Sequence, residues 1–289
     1  MIRRIFIIVF TCIISITLSC ASGDREPFPE SQEIVRDITP IEKRLVRAVN
    51  SSNQLSMKVI GEIEYGDFKA PVWLVSFVPS KEVKYRVFVN GCIHGDEPAG
   101  AEVILEIIEI LARSPHRYEQ FSFDIVPIVN PWGYSCDIRF NRDGRDLNRD
   151  FSSFMCQESR IIKKYVDRKK YHLMIDLHED PDGKGFYMYQ YGNPDTSLSR
   201  KTIEIIKKMN YPIEQDVNMI MLKTEDGLID APMWGLWYMR ITKQLSISNY
   251  YRFNNSDNVY TIETPTILDL KDRVKMQMAA FKVLLNSLQ

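Results

Sequence analysis

The chain has 289 residues, 45% of them hydrophobic, enough to bury the core of one large domain and too apolar for a disordered chain. Its 37 Lys and Arg almost cancel its 38 Asp and Glu, leaving a formal net charge of −1. No basic excess points to nucleic acid, and no acidic block points to a solvating tail.

The chain starts with an export signal. Arg3 and Arg4 precede the apolar run Ile5–Leu18, which leaves through Ser19-Cys20-Ala21-Ser22 and is short for a membrane span. Cys20 stands where a bacterial lipoprotein carries its acylated cysteine, although Thr17 holds a place usually taken by Leu. Residues 1–20 are therefore expected to be a signal peptide of lipoprotein type, with ordinary cleavage nearby as the other reading. Either way the mature protein is expected to be exported, periplasmic or at the cell surface, and in the first case anchored through Cys20. Residues 21–40 are polar, aperiodic and contain proline, which predicts a flexible tether. The main folded domain is expected to occupy 41–289.

A short amphipathic stretch covers Pro40–Asn50, and Met57–Tyr65 and Ala70–Val78 read as strands around a Gly66-Asp67 turn. Tyr85–Gly91 is a compact apolar run, and Ala99–Arg113 has helical spacing at Val103, Ile104, Ile107, Ile108 and Leu111. The order repeats: strand Phe121–Val129, irregular loop 130–155, helix Glu158–Lys169, strand Leu173–Leu177, helix Leu198–Met209. Val259–Glu263 predicts a buried strand and Leu268–Leu288 a closing helix. Apolar strands alternating with helices predict a three-layer α/β/α domain with a mixed, largely parallel central sheet. Functional groups in such sheets gather beyond the carboxyl ends of strands.

Several polar residues stand at such ends: His94 and Glu97, Asn130, His178 and Glu263. Only four histidines compete as ligands. His116 follows Ser114-Pro115 in a solvated loop. His172 precedes His178 on one strand, and at about 3.3 Å per residue the two are roughly 20 Å apart, too far to share an ion. His94, Glu97 and His178 remain, and two His with one Glu is the donor set of a catalytic zinc. Cys92, Cys136 and Cys156 are odd in number and form no C-x-x-C pair, so cysteine is not expected to carry the chemistry. Taken singly, each candidate has a plainer reading: Glu97 as a helix start, Asn148 as a cap, Arg149 as a surface charge, Glu263 in an ion pair.

The strings HGDEPAG at 94–100, NPWG at 130–133, RFNRDGRDLNRDF at 139–151, DLH at 176–178 and TIETP at 261–265 occur in one order over most of residues 57–285. Together they resemble the zinc carboxypeptidase family (the carboxypeptidase A superfamily), in the short bacterial branch of murein tripeptide amidases and D,L-carboxypeptidases. The resemblance implies that His94, Glu97 and His178 hold one Zn²⁺, with Asp146 behind the first histidine. It implies that Asn148 and Arg149 grip a substrate's free C-terminal carboxylate, Arg139 steadies the oxyanion, and Glu263 is the general acid/base. Arg142 would exchange with Arg139 if the register slipped, and Arg145 reads as a loop charge. The chemistry asks for these residue types: a carboxylate to move the proton, a guanidinium for developing negative charge and a planar fork for a carboxylate.

The chain departs from the larger digestive enzymes at Glu179-Asp180, where a small hydroxyl residue is usual. The two acids read either as attraction for a substrate amine or as a solvent-facing turn. The family's mobile tyrosine has no clear counterpart, Tyr250 and Tyr251 being equally suited to a core. Residues 220–255 should shape the specificity pocket but resist alignment. The expected activity is an exported zinc metallocarboxypeptidase acting on peptides, with those of the cell wall as the expected substrates, no nucleic acid partner and membrane contact only through the leader or its lipid. Two other readings stand beside it: a zinc-dependent N-acyl amino acid deacylase of the aspartoacylase and succinylglutamate desuccinylase type, and a surface peptide-binding protein without catalysis.

Overall fold

Eight strands form one sheet in the computed structural model, which describes residues 25–29, 31–215, 218–219 and 222–289. The leader and Cys20 lie outside the described residues. In chain order the elements are α1 (Thr39–Asn50), β1 (Leu55–Tyr65), β2 (Phe68–Phe77), β3 (Tyr85–Gly91), α2 (Ala99–Arg113), β4 (Phe121–Val126), α3 (Pro131–Cys136) and α4 (Gln157–Val166). There follow β5 (Leu173–Asp180), β6 (Tyr187–Tyr191), α5 (Ser197–Lys208), the small hairpin β7 (Asn218–Met219) and β8 (Leu222–Lys223), and β9 (Leu228–Ala231). The chain closes with α6 (Met233–Ile241), α7 (Ile247–Asn254), β10 (Val259–Pro265) and α8 (Leu270–Asn286).

The strand order is β1-β2-β4-β3-β5-β10-β6-β9. At its centre β4, β3, β5 and β10 are parallel, while β1, β2 and β6 enter through antiparallel pairings. The mixed, mostly parallel sheet expected from the sequence is thus present. The β1–β2 hairpin turns at Gly66, whose φ of +59° is one that L side chains seldom adopt.

Side chains alternate across each strand, and the two faces have different fates. One face carries Val87 and Val89, Leu173, Ile175 and Leu177, and Tyr260 and Ile262, packed with α2 and α8. The other carries Phe88, Met174 and Val259 under α7, whose Tyr251 is fully buried. His178 and Glu263 follow the second set in alternation. The strand pattern therefore decides which layer the site lies in.

β4 stops at Val126, earlier than the expected Val129, although Val129 N–H still donates to Gly91 O at 3.1 Å. The expected irregular loop contains α3, begun by Asn130, whose side chain accepts from Gly133 N–H at 2.9 Å. Within the stretch read as a tether, Phe28 packs on Trp132 at 5.3 Å between ring centroids, and Arg36 donates to Gly95 O at 2.9 Å. Cys92, Cys136 and Cys156 are buried and free.

Candidate metal centre

β3 ends in a turn that the surrounding backbone holds on several sides. Cys92 has φ +52°, and its carbonyl accepts from Asn130 N–H at 3.0 Å. Gly95 lies so close to α3 that a Cβ there would fall 1.9 Å from the carbonyl carbon of Gly133. Any side chain at Gly95 would displace His94 on one side and Glu97 on the other. Asn130, a strand-end candidate from the sequence, holds this framework and caps α3, and its amide donates to Phe140 O at 3.1 Å.

The turn places His94 and Glu97 against His178 of β5, all three buried. Glu97 Oε1 lies 2.5 Å from His94 Nδ1, and Oε2 lies 2.8 Å from His178 Nδ1. The outer nitrogens are also engaged: His94 Nε2 meets Asp146 Oδ1 at 3.2 Å, and His178 Nε2 meets Asp176 Oδ2 at 2.8 Å. A neutral imidazole that donates from Nε2 to a carboxylate presents a lone pair at Nδ1. Two such lone pairs then face the oxygens of one carboxylate, a cluster that needs a shared proton or a cation between its members. One donor atom from each of the three residues lies within 4.8 Å of the others. This donor set fits a metal ion, and the carboxylate behind each imidazole fixes its ring and tautomer.

The electrostatics agree. Burial would raise the Glu97 pKa, but the charges and hydrogen bonds of His94 and His178 outweigh it and hold this carboxyl below its usual range. Asp146 is likewise held low against burial, chiefly by His94 and then by Arg139. His178 is shifted up by Asp176, Glu97 and Glu263, although its burial acts the other way. Glu263 moves strongly upward, first through lost hydration and then through Glu97, Asp180 and Asp176, with His178 opposing.

The remaining predicted residues gather around this cluster. Glu263 pairs in register with His178 across β5 and β10, so both side chains stand on one face. Arg139 Nη2 bonds Asp146 Oδ2 at 3.0 Å, and Nη1 lies 3.1 Å from His94 Nδ1 and 3.6 Å from Glu97 Oε1. Asp146 also accepts from Asn148 N–H at 2.9 Å, capping a short turn over Leu147–Arg149. Asn148 Oδ1 accepts from Ile247 N–H at 3.0 Å. Arg149 is half-buried and bonds Asn148 O at 2.8 Å. His172 accepts from Arg86 N–H at 3.0 Å and His116 is exposed, both away from the cluster.

Glu179 does not face the cluster. Strand alternation turns it to the opposite face, where it is buried, ion-paired with Arg273 of α8 and bonded to Ala99 N–H at 2.6 Å. Its own N–H donates to Glu97 Oε2 at 3.1 Å. Burial pushes its carboxyl up to about 7. Neither sequence reading of Glu179 fits: it is not solvated, and it is not placed to attract a substrate amine. Asp180 does share the face of His178, where it accepts from Tyr187 OH at 2.8 Å.

Sequence reasoning missed Asp176. It is buried and receives Asn90 Nδ2 at 2.6 Å and Ser248 Oγ at 3.2 Å besides His178. Asn90 in turn accepts from Tyr251 OH at 3.2 Å, which assigns Tyr251 to the support beneath the site. The D-x-H spacing was the available signal, because residues two apart on a strand share a face. The buried tyrosines 187, 189 and 191 of β6 were missed too. Glu263 pairs with Tyr187, Thr261 pairs with Tyr189, and Tyr191 OH bonds Thr261 Oγ1 at 2.8 Å.

The chain is similar to several known proteins. A family model for the succinylglutamate desuccinylase/aspartoacylase catalytic domain matches residues 84–225. Carboxypeptidase 2 of Trichophyton tonsurans is 32% identical over 107 residues, 36% of this chain and 20% of the fungal protein. The chain thus spans about a fifth of that relative's length. Among solved structures, carboxypeptidase A from Helicoverpa armigera superposes with a TM-score of 0.65 at 15% identity, covering 93% of this chain and 77% of the insect enzyme. A metallo-carboxypeptidase from Burkholderia cenocepacia gives 0.61 at 18% identity, over 86% and 69%. At such identities the superpositions show a common fold.

Proposed function

We propose that this chain, whose sequence and fold are similar to those of the zinc carboxypeptidase-like family, is a zinc-dependent hydrolase that removes a C-terminal residue from peptides. The observation that carries this reading is the pairing of Glu263 with His178 across adjacent strand ends, beside a cluster of two imidazoles and one carboxylate. His94, Glu97 and His178 would hold the ion, which when bound supplies Lewis acidity to a carbonyl and to water.

The protein's own groups account for the rest. The Glu263 carboxylate, level with His178 across the strand ends, takes a proton from water and passes it to the leaving amine. Arg139, fixed by Asp146, brings a guanidinium to where negative charge develops. The Asn148 amide and the Arg149 fork receive the substrate's terminal carboxylate. Cell-wall peptides suit the reading, since the leader implies export and anchoring through Cys20. The motifs HGDEPAG and TIETP, with the fungal likeness, support the peptidase branch.

One observation favours a second reading. The matched family model describes N-acyl amino acid deacylases and spans the ligand turn, Arg139, Asn148, Arg149 and His178. The deciding experiment loads the purified chain with zinc and offers peptidoglycan tripeptides, a peptide panel and N-acyl amino acids. Amino acid release from peptides alone supports the peptidase. Turnover of N-acyl amino acids alone replaces it with the deacylase.

A further inference from the structure

Helix α6 turns its apolar residues outward. Trp234, Trp237, Tyr238 and Ile241 follow the i, i+3, i+4, i+7 spacing of a single helix face, yet they are 55%, 49%, 41% and 79% exposed. The helix's one buried residue is Leu236. A contiguous aromatic stripe is unusual on a soluble surface and marks a place where something docks.

Charge narrows the choice of occupant. Residues 231–256 contain Arg240, Lys243 and Arg252 and no Asp or Glu, in a chain that has 38 acids. Arg252 pairs with Asp257. Arg240 is held over the Trp237 and Phe253 rings, 5.3 and 5.0 Å from their centroids, which keeps a cation at the edge of the stripe. In a two-fold dimer through this face, Arg240 and Lys243 of one copy would approach the same cations of the other. An anionic bilayer meets both needs, since indole and phenol rings settle at the headgroup boundary and cations seek anionic lipid.

We propose that α6 is an interfacial helix that seats this domain on an anionic phospholipid surface, with Trp234, Trp237 and Ile241 entering the headgroup boundary and Arg240 and Lys243 contacting lipid phosphates. This seating does not depend on zinc, on peptidase activity or on acylation of Cys20.

The chain contains its own probe. Of its four tryptophans, Trp73 and Trp132 are 3% exposed, so a lipid-induced change in indole emission reports on Trp234 and Trp237. The full-length protein is mixed with vesicles of phosphatidylglycerol and chain-brominated phosphatidylcholine. The expected result is a blue shift with bromine quenching, weakened by salt or by omitting phosphatidylglycerol and lost in the Arg240→Glu/Lys243→Glu double variant. Protein that co-sediments with vesicles while its emission stays unquenched overturns the proposal. So does equal quenching in purely zwitterionic vesicles. A blue shift without vesicles that grows with protein concentration assigns the stripe to a second copy instead. The wild-type quenching decides the matter even if a variant fails to fold.

Discussion

Asp146 and Asp176 stand in the same relation to the two histidines of the site. Each places a carboxylate oxygen against an imidazole Nε2, at 3.2 Å for His94 and 2.8 Å for His178, so that both Nδ1 atoms turn toward Glu97. One aspartate comes from a loop and the other from a strand, yet the two rings end in equivalent orientations.

That equivalence gives the first prediction. Replacing Asp176 by Asn leaves His178 in place but weakens its orientation, and metal affinity should fall roughly 10–100-fold. His178→Ala should lose the metal altogether. Competition against a chromogenic chelator measures both, and unchanged affinity in the Asp176 variant would deny it a positioning role.

Glu263→Gln should keep the metal and lose turnover by about 10²–10⁴-fold, the usual worth of a positioned acid/base. Metal analysis beside single-turnover kinetics checks this. Near-normal hydrolysis by the metal-loaded variant would remove Glu263 from the reaction.

Arg149 is predicted to act in binding rather than in bond breaking. Loss of a charge-assisted contact costs about 1.5–3 kcal/mol, so Arg149→Met should raise KM roughly tenfold to a hundredfold with kcat little changed. Peptides with an amidated C-terminus should not register the substitution. An equal loss on both substrate types would show that Arg149 does not read the carboxylate.

A buried carboxyl away from the metal cluster predicts a pH dependence of stability. Glu158 lies under the loop that bears Arg139 and Asp146, accepting from Tyr65 OH at 2.8 Å, with Asn141 Nδ2 at 3.5 Å and Asp143 and Cys156 nearby. Burial raises its pKa from 4.5 to about 7. A raised carboxyl favours the fold while protonated. Its contribution is therefore complete below pH 4.5 and is lost as pH climbs to about 7, a change on the order of 3 kcal/mol. Denaturant titrations across that range should show this slope reduced in Glu158→Gln. An identical slope in the variant would mean that Glu158 does not titrate there.

The sequence made the centre of the fold readable because β3, β5 and β10 are apolar runs of strand length that end in polar residues of distinctive chemistry. His94 and His178 could be selected by elimination, since strand geometry alone separates His172 from His178. The periphery was harder. The run YMYQY of β6 is buried on both faces, so it lacks the alternation that announces a strand. The apolar stripe of α6 points at solvent, where periodicity gives no inward face, and α7 has few aliphatic residues. Glu179 resisted for a different reason: beside a ligand it looked catalytic or solvated, and only the sheet's two-sidedness shows it joined to Arg273 and the start of α2.

The contact between Gly95 and Gly133 changes what two of the sequence strings mean. HGDE and NPWG look like separate signatures, one for ligands and one for a turn, and either could be weighed alone. In the folded chain Gly95 is bare of side chain so that the Gly133 backbone can approach, and Gly133 is bare because the Asn130 side chain and the carbonyls of Ile138 and Phe140 crowd it. A side chain at the glycine of the first string would drive the ligand turn away from the backbone of the second, so the pair, read jointly, is a stricter signature than either.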